Sequence, residues 1–194
     1  MDNSYFDFYT IDETYVKYIY DNYDKQIYYN ENNKNYSDKP YIGIITEIGD
    51  FKYFIPLTSA KPKHLSMKNN GTYHTLVYEV LTRKEINENK DIFKIVEQDS
   101  LDRSNDKVKK IYSLINYKKC VPVPDGCFTK IIINDHKNRD LLRKEFSFCV
   151  VRKHMIFEKA KYVILNQKKT GVINQAQCDF DKLEKACIDW NNNS

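Results

Sequence analysis

Hydrophobic residues change their spacing part-way along this chain of 194 residues. Through most of the N-terminal two thirds they alternate with polar ones, and after about position 136 they recur every three or four residues. Alternation over residues 5–11 predicts a first strand, and Asp12 stands where a helix N-cap would be. Tyr15, Tyr18, Ile19 and Tyr23 then fall on one face of a helix running from Glu13 to about Asn22. Residues 28–38 are Asn-rich and without a period, which predicts an exposed loop. Residues 41–48 predict a strand, Gly49-Asp50 a two-residue turn, and residues 51–57 a strand pairing back antiparallel. Pro56 lacks a backbone donor, so regular pairing is expected to fail near it.

Further strands are predicted over 72–81 and 92–96, with a charged turn at 83–90 and a linker at 99–105. Residues 108–114 fit a strand or a helical turn equally well. Two prolines confine Cys120-Val-Pro-Val-Pro124 to a sheet edge or exit. Over residues 136–167, Leu142, Phe146, Cys149, Val150, Phe157, Ala160 and Ile164 make an apolar stripe. That stretch is long for one helix in a globular domain, so a break is expected near His154 and a stop at Gly171. Residues 179–190 predict a last amphipathic helix. The expected architecture is α+β: one domain over 1–194, a small twisted antiparallel sheet or barrel covered by C-terminal helices.

Composition narrows the class. At 41% hydrophobic and 14% aromatic, the chain can bury a sizeable core. Net charge is only +4, but residues 1–38 hold three Lys against eight Asp or Glu, so the positive excess starts at Lys39. A basic central and C-terminal part with many tyrosines suits an anionic partner such as a nucleic acid. The five cysteines form no CxxC and no zinc spacing, which predicts ordinary thiols and no metal. No signal peptide or apolar span is visible, so a soluble, cytoplasmic protein without membrane contact is expected.

No P-loop, GxGxxG, GxSxG or HExxH signature is present. The chemistry concentrates instead in Lys52-Tyr-Phe-Ile-Pro-Leu-Thr-Ser-Ala-Lys-Pro-Lys-His64. The predicted hairpin would bring Lys39 beside Thr58 and Ser59, with Lys61, Lys63 and His64 following. Hydroxyls and ammonium groups together bind a phosphodiester, and bind its pentacoordinate transition state better. With RNA as substrate the 2′-OH serves as nucleophile, so no cofactor is expected. Arg139, Arg143, Lys144, Arg152 and Lys153 flank the apolar stripe and would contact phosphates.

Phe8-Tyr-Thr-Ile11, Tyr15-Val-Lys-Tyr18, Lys39-Pro-Tyr-Ile-Gly43, Tyr53-Phe-Ile-Pro-Leu-Thr-Ser-Ala-Lys-Pro-Lys-His64, Leu114-Ile-Asn116 and Val121-Pro-Val-Pro124 resemble the ToxN/AbiQ endoribonucleases of type III toxin–antitoxin systems. The resemblance implies a MazF/Kid-like barrel and metal-independent cleavage giving a 2′,3′-cyclic phosphate and a 5′-OH. It implies catalytic positions at Lys39, Thr58, Ser59 and Lys61; His64, in the same stretch, is read from the residues as a further acid–base candidate. The resemblance also implies an RNA-contacting aromatic at Tyr36, and Lys63 in the basic stretch is read from the residues themselves as a further RNA contact. The implied partners are substrate RNA and a repeated pseudoknot RNA antitoxin that the toxin processes and that holds it in a closed protein–RNA assembly. The competing class is a non-catalytic RNA-binding module. A structural or adaptor domain, its tyrosines serving a protein interface, is the third. Which group takes the 2′-OH proton stays open in the sequence.

Overall fold

The computed structural model describes residues 6–29, 39–43, 47–96 and 106–193. Tyr36, the middle of the strand expected over 41–48 and the expected linker at 99–105 lie outside them. The chain begins with strand β1 (Asp7–Ile11) and helix α1 (Glu13–Asn22), capped as expected by Asp12, which accepts from the Thr14 N–H at 2.7 Å. Strands β2 (Tyr41–Gly43), β3 (Glu47–Ile48), β4 (Phe51–Ser59), β5 (His74–Thr82), β6 (Ile92–Ile95), β7 (Lys107–Asn116), β8 (Val121–Pro122) and β9 (Phe128–Lys130) follow. Helices α2 (Arg139–Val151), α3 (Lys153–Thr170) and α4 (Phe180–Asn193) close the chain.

All described strands pair antiparallel in the order β5-β7-β4-β2-β1-β9, with β3 and β8 also on β4 and β6 on β7. The ambiguous segment around 108–114 is therefore strand, because β7 is paired by β4, β5 and β6. β8 pairs only with β4 among the described strands, the edge position its prolines allow. Gly49, at φ 61°, turns β3 into β4 as the two-residue loop requires. Gly43 sits where a Cβ would meet Phe54 and Tyr9 ring carbons at 2.4 and 2.5 Å, so only glycine lets β2 lie this close.

Pairing does not fail at Pro56, contrary to expectation. β4 runs through it to Ser59. The Leu57 N–H donates to Pro40 and the Ala60 N–H to Tyr112, so N–H groups alternate between β2 and the opposite side. Pro56 has the parity of Ala60, and on that side it falls between β8, which pairs residues 53–54, and β7, which pairs 57–59. The missing donor falls in a gap between neighbours.

One core joins α1, the sheet and the C-terminal helices through Phe8, Tyr15, Tyr53, Phe54, Ile156 and Phe180, all at or near zero exposure. A smaller cluster of Leu76, Ile111 and Leu114 packs with Met67 and Ile92. The long helical stretch breaks at Arg152, two residues before the expected point, where φ −113° and ψ 12° leave the helix. Gly171 ends α3 in the left-handed region at φ 68°. All five cysteines are buried, unpaired thiols.

Candidate functional site

Tyr41 pairs with Pro56, and the Leu57 N–H donates to the Pro40 carbonyl at 3.0 Å. One step further along the same register sets Lys39 beside Thr58. Lys39, Thr58, Ser59 and Lys61 line one pocket of about 370 Å³. β7 and α2 complete it: Ser113 stands opposite Ser59 in the ladder, and Leu142 and Glu145 reach in from one side of α2. His136, Lys137 and Asn138, in the turn before α2, form the remaining wall.

Each group is held by its local structure. The Thr58 hydroxyl donates to the Leu114 carbonyl at 3.3 Å, which fixes its rotamer. Ser59 is exposed at the strand end, and a directly opposed pair projects to one face, so it shares a side with Ser113. After Lys61 the chain enters a 3-10 turn, Pro62–Ser66. His64 closes that turn: its Nδ1 accepts the Lys61 backbone N–H at 3.1 Å, and its backbone N–H donates to the Lys61 carbonyl at 2.8 Å. The imidazole is 2% exposed and does not line the pocket. Burial and the charges of Lys63, Lys61 and His74 push its pKa down. Lys63 is exposed on the same turn.

Lys39 is half-buried, and its ammonium lies 3.7 Å from the centroid of the Tyr28 ring. Lys119 approaches that ring at 5.7 Å, and Asn116 fixes the Tyr28 hydroxyl with a 3.0 Å hydrogen bond. Burial, then repulsion from Lys61 and Lys119, lowers the Lys39 pKa to about 7. Glu145 is 3% exposed, and burial raises its pKa to about 7. Hydrogen bonding toward the Ser113 hydroxyl opposes that rise, although the two side chains do not reach full hydrogen-bond geometry. Ser113 Oγ and Glu145 Oε2 are both buried without a partner among the described residues. The pocket thus offers hydroxyls and three lysines to a phosphodiester. Its ammonium and its carboxyl can each exchange a proton near neutrality.

The predicted basic positions on the helices divide. Arg143, Lys144 and Arg152 line a neighbouring groove of about 500 Å³ with Tyr78, Tyr112 and Phe148. There Lys144 pairs with Glu79 at 2.8 Å and bonds the Tyr112 hydroxyl at 3.0 Å. The Arg152 guanidinium stacks 4.0 Å above the Phe148 ring, and Arg143 bonds Asn134 at 3.0 Å. Arg139 lies on the exposed start of α2 and Lys153 opens α3; neither lines the pocket or the groove.

Sequence reasoning did not single out Tyr28, Ser113, His136 or Glu145. Only Tyr28 left a signal, as an aromatic of the loop leading to Lys39. Among the described residues no group of three or more His, Cys, Asp or Glu is placed to hold a metal ion. No helix among them is long and apolar enough to cross a membrane.

A sequence model of the family described as toxin ToxN, type III toxin–antitoxin system, matches residues 7–187. The chain belongs to the ToxN family. Its curated relatives include the endoribonuclease ToxN of Pectobacterium atrosepticum, 25% identical over 189 residues, covering 94% of this chain and 92% of that protein. Solved structures share the fold. One, from work on a bacterial antiviral system regulated by a processed non-coding RNA, has TM-score 0.67 at 24% identity over 94% of this chain and 98% of its own. A second, from work on selective inhibition of a type III toxin by a non-coding RNA pseudoknot, has TM-score 0.67 at 20% identity, covering 95% and 96%. AbiQ, a lactococcal anti-phage endoribonuclease of a type III system, has TM-score 0.66 at 20% identity, covering 96% and 98%. The ToxN-family fold is thus spanned nearly end to end.

Proposed function

We propose that this chain is an endoribonuclease toxin that cleaves RNA without a metal, by attack of the 2′-OH on the adjacent phosphate. The observation that carries the reading is the single pocket in which Lys39, Thr58, Ser59 and Lys61 meet from the two strands of one hairpin. Family membership and the endoribonuclease activity of its relatives support it. Ser59 and Thr58 orient the scissile phosphate, and Lys61 stabilises the charge that builds on its oxygens. Lys39, with a pKa near neutrality, protonates the departing 5′-oxygen. His64 holds the Lys61 backbone and so aims that ammonium, while Lys63 beside it grips a neighbouring phosphate. The products are a 2′,3′-cyclic phosphate and a 5′-OH.

The toxin would act in the cytoplasm in phage defence by abortive infection. Its inhibitor would be a repeated RNA pseudoknot that it processes and that locks it in a closed protein–RNA assembly. Arg139, Arg143, Lys144, Arg152 and Lys153 would position RNA through its phosphates. The convergence of β2, β3, β7 and β8 on β4 supports a sheet curled toward a MazF/Kid-like barrel.

The test is cleavage of cellular RNA by purified protein in excess EDTA, with the ends mapped. Cyclic-phosphate ends that disappear in Ser59→Ala and Lys61→Ala proteins are expected. Binding without cleavage by the unmodified protein would instead make it an RNA-binding module, and cleavage retained in both variants would reject the pocket.

A further inference from the structure

Resting on that reading, we infer that Glu145 is the group that receives the 2′-OH proton, directly or through the Ser113 hydroxyl. Three observations on the pocket carry this. Glu145 is 3% exposed yet lines the same pocket as Ser59 and Lys61. Its Oε2 has no partner among the described residues, and neither does the Ser113 hydroxyl beside it. Ser113 in turn stands directly opposite Ser59 on the same sheet face. A buried carboxylate oxygen and a buried hydroxyl left without partners cost stability, and a substrate hydroxyl placed between them satisfies both.

Alternative acceptors in the pocket are poorly suited. Lys61 and Lys137 are cations. Lys39 is a base only once deprotonated, and in that form it cannot protonate the 5′-oxygen. His136 lines the wall, but its Nδ1 accepts the Asn138 N–H at 3.0 Å. That bond assigns the ring proton to Nε2, leaving the imidazole a donor toward the pocket. Burial sets the Glu145 carboxyl to titrate near 7, so its ionised form is abundant at neutral pH. The other titratable or charged groups around it are Lys39, Lys61, His136 and Lys137 in the pocket, and Cys149 and Arg152 further along α2.

The step balances. The 2′-O–H bond breaks and its proton passes to Glu145, while the 2′-oxygen forms a bond to phosphorus. The P–O5′ bond breaks and the 5′-oxygen takes a proton from the Lys39 ammonium. Glu145 ends neutral and Lys39 ends as the amine, and exchange with solvent restores both.

The experiment is the single-turnover rate on a fluorescent pool of random-sequence RNA from pH 5 to 9. It compares the natural protein with Glu145→Gln, Ser113→Ala and His136→Gln, alongside binding of a 2′-O-methyl pool. The natural protein is expected to show an acid limb with a midpoint near 7. Glu145→Gln should lose about 10²–10⁴-fold in rate, together with that limb, while binding changes less than about threefold. Ser113→Ala should move the limb to higher pH, because Ser113 holds the carboxyl pKa down. His136→Gln should leave the midpoint in place. An acid limb that survives in Glu145→Gln, or moves with His136→Gln, overturns the inference. A natural protein that produces no cyclic-phosphate ends overturns the parent reading instead. Should Glu145→Gln not fold, carbon-13 titration of the Glu145 carboxyl in the natural protein decides: a midpoint near that of a free glutamate overturns the inference, and one near 7 upholds it.

Discussion

Replacing Lys39 by methionine removes a titrating cation from the pocket while keeping a long apolar stem. In the natural protein the Lys39 pKa falls from 10.5 to about 7, through burial and then repulsion from Lys61 and Lys119. A lysine whose folded pKa is depressed contributes stability that is complete above its unfolded pKa and is lost as pH falls toward the folded one. The window for Lys39 is therefore about pH 7 to 10.5. At about 1.36 kcal/mol per pKa unit, the gain between pH 7 and 9.5 has an upper bound of about 3 kcal/mol. The side chain is only half-buried, so water at the pocket mouth brings the expectation to about 1.5 kcal/mol. Urea unfolding of both proteins at pH 7, 8, 9 and 9.5 reads the effect as natural-minus-variant stability, which should rise steadily with pH. Other lysines with depressed pKa values, such as Lys94 and Lys159, are present in both proteins and cancel in that difference. A difference that stays flat from pH 7 to 9.5 would refute a desolvated Lys39, and with it the idea that this residue is poised to give up a proton near neutrality.

Gly43→Ala should cost about 2–3 kcal/mol in the same assay, because the added methyl meets the buried Phe54 and Tyr9 rings; a loss below about 0.5 kcal/mol would show that β2 can move away. Reversing Arg143, Lys144 and Arg152 to Glu together should weaken RNA binding and flatten its dependence on salt by about two to three phosphate contacts. An unchanged salt slope would remove the groove from the RNA interface.

Much of the fold was legible because its signals are local. The Asp12 cap and the helix face of Tyr15 and Ile19 lie within a few residues of each other, as do the Gly49-Asp50 turn and the Gly171 stop. Neighbouring residues supply the physics in each case. The β2–β4 hairpin was legible for the same reason, and it alone brought Lys39 to Thr58 and Ser59. Pro56 was misread because a proline is tolerated wherever its missing N–H faces no neighbour, and which side each N–H faces is a property of the assembled sheet.

What the sequence determined by itself is one half of the pocket, the cations and hydroxyls that a short turn forces together. Only the tertiary structure decided the other half. Ser113 and Glu145 lie far along the chain in a strand and a helix whose apolar faces merely ask to be buried, and β7 had first to pair with β4, and α2 to pack on that sheet, before their polar atoms met the strand end. Burial is also what sets Lys39 and Glu145 near neutral pKa values, and desolvation belongs to the packed molecule rather than to any stretch of residues.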